Sequence, residues 1–131
     1  MRVSVAKILV ADDESKLRDV VGEMLSLDGH DVLQAEDGVQ ALDSIKKNRP
    51  DVVLCDIEMP KLKGFDVLTK LRENPALSQI PMIFLTGKTE ISYLEEALHL
   101  NVNDFLTKPF SRQDLLGAID LQLKKIKAIT M

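Results

Sequence analysis

Residues 51–60 read DVVLCDIEMP, in which an uninterrupted apolar run at residues 52–55 ends on Asp56. A short Val/Leu run without alternating polar residues is typical of a strand that is covered on both faces, as in a parallel sheet. Comparable runs stand at residues 7–11 (KILVA) and 81–86 (PMIFLT), and two more mixed ones at 31–35 (DVLQA) and 104–108 (DFLTK). We therefore predict five strands, and we expect residues 31–35 at an edge of the sheet because that run mixes polar and apolar side chains.

Amphipathic stretches fill the intervals between the predicted strands. Since crossovers between parallel strands are right-handed, this alternation predicts an α/β fold, a single-domain (βα)5 doubly wound sheet with helices on both faces. The 131 residues fit one domain with a core from about residue 6 to residue 128. The apolar residues at helical spacing are Leu17, Val20, Val21, Met24 and Leu25; Val39, Leu42 and Ile45; Phe65, Leu68 and Leu71; Ile91, Leu94 and Leu98; and Leu115, Leu116, Ile119, Leu123 and Ile126.

The composition is that of a globular protein with an acidic surface. Hydrophobic residues make up 45% of the chain, charged residues 29%, and the net charge is −4, so direct binding to nucleic acid is not expected. No apolar run approaches the roughly 20 residues of a membrane span, and we expect no membrane insertion. Cys55 is the only cysteine, which excludes an intrachain disulfide and favours the cytoplasm.

Polar residues gather where the predicted strands end, and ligands bind beyond those carboxyl ends in open parallel sheets. Asp12 and Asp13 follow the first strand, and Asp56, Thr86 and Lys108 end the third, fourth and fifth. Two carboxylates about 4 Å apart repel by roughly 4 kcal/mol at an effective dielectric constant near 20, so three of them favour a bound cation. Carboxylate oxygens suit Mg²⁺, and an ammonium and a hydroxyl suit phosphoryl oxygens. The pattern predicts a site for Mg²⁺ and a phosphoryl group.

Each of these residues also has an ordinary interpretation when taken alone. The acidic residues after the first strand could cap the following helix, Asp56 could be a turn residue, and Lys108 could be a surface lysine. Cys55 lies in an apolar strand and is predicted to be a core residue. His30 and His99 are interpreted as surface residues because neither stands beside another ligand. The joint occurrence of all the strand-end residues favours the site.

The same residues resemble the motifs of a known family, the response-regulator receiver domain of two-component signalling, over nearly the whole chain. Asp12-Asp13 is similar to its metal-binding pair, and residues 56–64 (DIEMPKLKG) match its D-x-x-M-P-x-x-x-G around the phosphorylated aspartate. Thr86 matches the hydroxyl of its fourth strand, and residues 108–110 match its K-P-F. The resemblance implies a strand order of 2-1-3-4-5.

The resemblance also implies a role for each residue at the strand ends. Asp56 would accept a phosphoryl group from a sensor histidine kinase or a phosphotransfer domain. Asp13, Asp56 and the backbone carbonyl of Glu58, helped by Asp12, would bind Mg²⁺ (or Mn²⁺). Lys108 and Thr86 would then hold the phosphoryl oxygens. The protein would be a signalling switch rather than an enzyme that turns over a separate substrate.

A second set of implied roles concerns the response to phosphorylation. Thr86 and Phe105 would be switch residues that reshape the face formed by helix four, strand five and helix five. That face would control a downstream protein or a fused output domain, or would form a homodimer. Our own hypothesis is that Glu58 and Lys88, which flank the site at variable positions, tune the lifetime of the acyl phosphate. The chain departs from the family pattern at Asn101, where glycine is usual, but asparagine tolerates a left-handed turn.

Three other functions remain as alternatives. An electron-transfer flavoprotein would need a phosphate-binding loop after the first strand, where Asp12 and Asp13 would repel a phosphate instead. An aspartate-nucleophile phosphatase would normally carry its nucleophile at the end of the first strand. A receiver-like binding module that is not phosphorylated would be expected to have lost site residues, which this chain retains.

Overall fold

The computed structural model describes residues 5–87 and 91–130, in which five strands and five helices alternate. The strands are β1 (Lys7–Ala11), β2 (Asp31–Ala35), β3 (Val52–Asp56), β4 (Met82–Thr86) and β5 (Asp104–Thr107). The helices are α1 (Ser15–Leu27), α2 (Gly38–Asn48), α3 (Gly64–Glu73), α4 (Ile91–His99) and α5 (Arg112–Thr130). Among the described residues, no helix is both long enough and apolar enough to cross a membrane.

The strands form one parallel sheet in the order β2-β1-β3-β4-β5, which confirms the predicted order and places β2 at an edge. Both faces of β3 are covered. Val53 and Cys55 belong to the core on one face of the sheet, and Val52 and Leu54 belong to the core on the other. The first core includes Ala41, Ile45, Leu68, Leu71 and Ala97 of α2, α3 and α4, and the second includes Val21, Leu25, Leu115, Ile119 and Leu123 of α1 and α5.

Local interactions and turns mark the ends of the helices. Ser111 and Asp114 form a reciprocal capping box at the start of α5, in which each side chain accepts the backbone N–H of the other residue, at 2.9 and 3.2 Å. Gly29 follows α1 with a φ of 90°, and Asn101 follows α4 with a φ of 59°. Asparagine therefore makes the left-handed turn that the usual glycine would make.

Four local predictions are wrong. Val20, Val39 and Leu98 were expected on apolar stripes but are 49%, 53% and 65% exposed. The helices turn their neighbours Val21, Ala41 and Ala97 toward the sheet instead. His30 was expected at the surface but is 4% exposed. Its Nδ1 accepts a hydrogen bond from the backbone N–H of Ala6 at 3.0 Å, so the ring closes the amino end of the sheet.

The guanidinium group of Arg72 holds together two loops at the amino end of the sheet. It donates to the carbonyls of Ser78, Ile80 and Asn101 and to the side-chain oxygen of Asn103, at 2.9 to 3.1 Å. Burial lowers the pKa of Arg72, but a guanidinium group stays charged at neutral pH.

We expect Arg72→Met to lower the free energy of unfolding by about 2–4 kcal/mol, because hydrogen bonds from a charged donor contribute about 1.5–3 kcal/mol and several acceptors are left unpaired. Urea unfolding measures the change. Lys70→Met, at an exposed position of the same helix, is the control and should stay within about 0.5 kcal/mol. Equal losses in the two variants would contradict the role of Arg72.

Candidate metal and phosphoryl site

The strand-end residues meet at one edge of the sheet, which we call the carboxyl rim. Asp12 and Asp13 follow β1 directly, Asp56 and Thr86 are the last residues of β3 and β4, and Lys108 follows β5. One carboxylate oxygen from each of the three aspartates lies within 4.8 Å of the other two. The parallel sheet therefore brings together groups that are far apart in the sequence.

Asp12 is completely buried and is held by several partners. Its Oδ2 accepts a hydrogen bond from Lys108 Nζ at 2.9 Å, and its Oδ1 accepts one from the backbone N–H of Glu14 at 2.9 Å. Its carbonyl accepts one from Arg18 Nη1 at 2.7 Å. Glu14 is the residue that precedes α1, and its side chain makes no capping hydrogen bond. Asp12 thus faces the site, and Glu14 does not cap α1.

Asp56 is 8% exposed and lies between charges of both signs. Burial raises the pKa of Asp56 to about 6, and the nearby charge of Asp12 and the weaker effect of Asp13 act in the same direction. Lys108, whose Nζ is 3.7 Å from Asp56 Oδ1, and a hydrogen bond from the backbone N–H of Glu58 oppose this increase only in part. Burial is therefore the main cause of the raised pKa of Asp56, and the neighbouring carboxylates add to it.

Lys108 supplies one positive charge to this cluster. Burial alone would lower the pKa of Lys108, but its hydrogen bond to Asp12 and the charges of Asp56, Asp12 and Glu14 outweigh burial and raise it. Lys108 is therefore an ammonium ion at neutral pH.

The donor set fits a hard divalent cation. When all three aspartates are ionised, Lys108 leaves two negative charges in the cluster, and a doubly charged ion would balance them. All the side-chain donors are carboxylate oxygens, which Mg²⁺ and Mn²⁺ accept, and no thiolate or imidazole of the described residues belongs to this cluster. The Glu58 carbonyl belongs to the loop that follows Asp56, and the Glu58 side chain is exposed.

Without a cation, the raised pKa of Asp56 makes stability decrease as pH rises. The folded protein holds this proton more tightly than the unfolded chain, in which the pKa is about 3.9, so the stabilisation is present below about pH 4 and is lost as pH rises through about 6. After a discount for solvent at the open rim, we expect a loss of about 1–2 kcal/mol relative to Asp56→Asn. Urea unfolding of both metal-free proteins across this range measures the difference. Parallel pH profiles would contradict the prediction.

The two predicted switch residues lie near the rim. Thr86 is 5% exposed, and its carbonyl accepts the backbone N–H of Lys108 at 2.7 Å. Phe105 is half-buried, and its ring centroid is 6.3 Å from that of Phe84, one strand away. Lys88 lies outside the described residues.

Two charged residues near the site, Asp37 and Lys61, were not singled out in the sequence. Asp37 is buried at the start of α2 and forms an ion pair with Lys61 in the loop after Asp56, with Oδ2 and Nζ 3.4 Å apart. A hydrogen bond from the backbone N–H of Gln40 holds the pKa of Asp37 below its usual value. An aspartate before a helical pattern is a capping signal, but the pairing with Lys61 needs the tertiary structure.

A second cluster of possible ligands, formed by Asp28, His30 and Asp120, is less suited to a metal. The N–H of Ala6 points to Nδ1 of His30, so the proton of the neutral ring must be on Nε2. Nε2, which lies 3.4 Å from Asp28 Oδ2, then carries an N–H instead of a free lone pair. A metal-bound imidazole needs the opposite arrangement.

Comparisons with known proteins agree with the fold. A family model described as the response regulator receiver domain matches residues 8–120. The chain is 38% identical over 120 residues to a probable transcriptional regulator, ycf27, of Porphyridium aerugineum, covering 92% of this chain and 49% of that protein. It is 37% identical over 119 residues to the response regulator MprA of Mycobacterium sp. (strain KMS), covering 91% of this chain and 51% of that protein. The chain thus spans about half the length of the curated relatives it matches.

Solved structures give the same result. The chemotaxis response regulator CheY4 of Vibrio cholerae superposes with a TM-score of 0.85 at 30% identity, covering 91% of this chain and 99% of that one. A response regulator receiver domain protein from Clostridium thermocellum superposes with a TM-score of 0.88 at 33% identity, covering 95% and 99%. The chain belongs to the response regulator receiver domains of two-component signalling.

Proposed function

We propose that Asp56 accepts a phosphoryl group while Asp12, Asp13, Asp56 and the Glu58 carbonyl hold Mg²⁺ or Mn²⁺. The observation that carries this proposal is the cluster of three carboxylates around a nearly buried Asp56, with Lys108 Nζ 2.9 Å from Asp12 and 3.7 Å from Asp56. A cluster with excess negative charge favours a cation, and one ammonium beside the acceptor favours phosphoryl oxygens.

The residues of the chain have distinct parts in the transfer. An Asp56 oxygen forms a bond to phosphorus as the bond from phosphorus to the donor's imidazole nitrogen breaks, and that nitrogen keeps the electron pair. Lys108 pairs with a phosphoryl oxygen, and the Thr86 hydroxyl donates a hydrogen bond to another. The cation, when bound, would reduce the negative charge on the phosphoryl group.

The proposed consequence is a change in the face formed by α4, β5 and α5. Thr86 lies two residues beyond Phe84 on β4, and the ring of Phe84 is next to that of Phe105 on β5. A movement of Thr86 at the rim could therefore be passed to Phe105 on this face through one intervening side chain. The face would bind a downstream protein, a fused output domain or a second copy of the chain. Glu58 and Lys88 would tune the acyl-phosphate lifetime, and unchanged hydrolysis rates in Glu58→Ala and Lys88→Ala would refute that role.

The phosphoryl donor would be a sensor histidine kinase or a phosphotransfer domain. A cavity of about 340 Å³ beside the site, lined by Glu14, Leu17, Lys108, Pro109 and Phe110, offers such a donor both apolar and charged contacts. The name of the ycf27 relative as a transcriptional regulator, and the half of its length that this chain spans, support a fused output domain. We propose that residues 1–131 are one receiver domain, cytoplasmic, and without direct contact to nucleic acid.

A small acyl-phosphate donor tests the proposal directly. With Mg²⁺, wild-type protein should gain the mass of one phosphoryl group, whereas Asp56→Asn, and wild type with a chelator, should gain none. Equal mass gain in wild type and Asp56→Asn would overturn the assignment. Steady turnover of simple phosphate esters would instead favour the phosphatase alternative, and no mass gain from any donor would favour a binding module that is not phosphorylated.

A further inference from the structure

We propose that Asp37 and Lys61 position the loop that carries the Glu58 carbonyl, so that the start of α2 sets the geometry of the cation site. The loop comprises residues 57–63, and we call it the β3–α3 loop. This inference rests on the proposed function, because the direction of the Glu58 carbonyl affects the site only if that carbonyl binds the cation.

The base of the β3–α3 loop is closed tightly. The backbone N–H of Gly64 donates to the carbonyl of Ile57 at 2.9 Å. A Cβ at Gly64 would lie 2.6 Å from the carbonyl oxygen of Asp56 and 2.9 Å from Cα of Ile57. The two ends of the loop are therefore in direct contact, and its shape depends on what holds its far side.

The far side of the loop contains an uncommon turn. The carbonyl of Pro60 accepts the backbone N–H of Leu62 at 2.7 Å, and Lys61 between them has a φ of 67°. A three-residue turn with positive φ at its centre is rare and strained for a residue with a side chain, so surrounding contacts must maintain it.

The start of α2 supplies those contacts. The N–H of Gly38 points to the same Pro60 carbonyl at 3.4 Å, and a Cβ at Gly38 would clash with the carbonyl oxygen of Leu62. Asp37 Oδ1 accepts the N–H of Gln40 at 2.8 Å, and its Oδ2 is 3.4 Å from Lys61 Nζ. Asp37 is thus fixed on the helix, and its second oxygen pairs with the ammonium group of Lys61, the residue with positive φ.

Glu58 lies between the closed base and this tethered turn, so the direction of its carbonyl is determined from both sides. Neither Asp37 nor Lys61 belongs to the carboxylate cluster. They are positioning residues, and their replacement should weaken cation binding without removing any ligand.

Mn²⁺ binding, followed by electron paramagnetic resonance of the free ion, tests the inference. Asp37→Asn keeps a capping oxygen but removes the charge, and Lys61→Met removes the opposite charge. We expect both to bind Mn²⁺ about three- to tenfold more weakly than wild type, and Lys61→Arg to restore binding to within about twofold. The exposed pair Asp43–Lys47 on the same helix, with Oδ2 and Nζ 3.3 Å apart, gives the matched controls Asp43→Asn and Lys47→Met, which should bind as wild type does.

Wild-type affinity in both Asp37→Asn and Lys61→Met would overturn the inference while leaving the proposed function intact. Failure of wild type itself to bind Mn²⁺ would overturn the proposed function. Amide exchange in the metal-free protein tests the tether separately. The N–H of Leu62 should exchange about tenfold faster in Lys61→Met than in Lys47→Met, and equal rates in the two variants would contradict the tether.

Discussion

Replacing Lys108 with methionine is expected to slow phosphoryl uptake at Asp56 by about two orders of magnitude, because a donor aimed at developing charge in a protected site contributes about that much. Lys108 Nζ is 3.7 Å from Asp56 Oδ1 and is already held near the rim by its hydrogen bond to Asp12. Methionine keeps an apolar chain of comparable length but cannot pair with a phosphoryl oxygen. Mass spectrometry over time with a small acyl-phosphate donor measures the rate.

The same substitution should also change the stability of the metal-free protein. Without Lys108, the completely buried carboxylate of Asp12 loses its only ammonium partner among the described residues, and we expect a loss of about 2 kcal/mol. Asp12→Asn in the same chain should recover most of that loss. Lys124→Met, at an exposed position of α5, is the control for both measurements. If Lys108→Met takes up the phosphoryl group at the rate of the wild type, Lys108 has no part in the mechanism.

The second large effect is expected for Gly64→Ala, which should lower the free energy of unfolding by about 3 kcal/mol and weaken Mn²⁺ binding. Gly64 does not have a positive φ, so the reason is space and not backbone conformation. The new methyl group would meet the backbone of Asp56 and Ile57 at 2.6 and 2.9 Å, and backbone cannot turn aside as a flexible side chain can. The substitution should therefore displace Asp56, the proposed acceptor.

Gly117→Ala is the matched control for this prediction. Gly117 lies within α5, and a methyl group added there would meet no atom of another described segment within 4 Å, so alanine should stabilise the protein by about 0.5–1 kcal/mol. Urea unfolding and Mn²⁺ titration of both variants give the comparison. If Gly64→Ala behaves as Gly117→Ala does, the loop is less tightly closed than these contacts require.

The sequence predicted the sheet well because parallel strands that are buried on both faces leave a strong local pattern. Residues 52–55 and 82–85 are apolar throughout, and the edge strand β2 is more mixed, as its exposure requires. The site residues could be named because a parallel sheet places the carboxyl ends of all its strands at the same edge. Their motif resemblance then gave each residue a role, and these roles are still predictions.

Contacts between segments that are distant in sequence were not predictable in this way. The burial of His30 depends on the N–H of Ala6, 24 residues away, and the pairing of Asp37 with Lys61 depends on how two loops meet. Helical spacing alone did not separate Val20, which is half exposed, from Val21, which is buried, because adjacent residues lie only about 100° apart around a helix.

Chemical mapping of the phosphorylated residue tests the central claim most directly. Borohydride reduces an aspartyl phosphate to homoserine, so peptide sequencing by mass spectrometry identifies the acceptor. After treatment with an acyl-phosphate donor, we predict homoserine at position 56 in the presence of Mg²⁺ and none when the cation is chelated. Homoserine at another aspartate, or equal amounts at position 56 with and without the cation, would contradict a cation-dependent acceptor at the carboxyl rim.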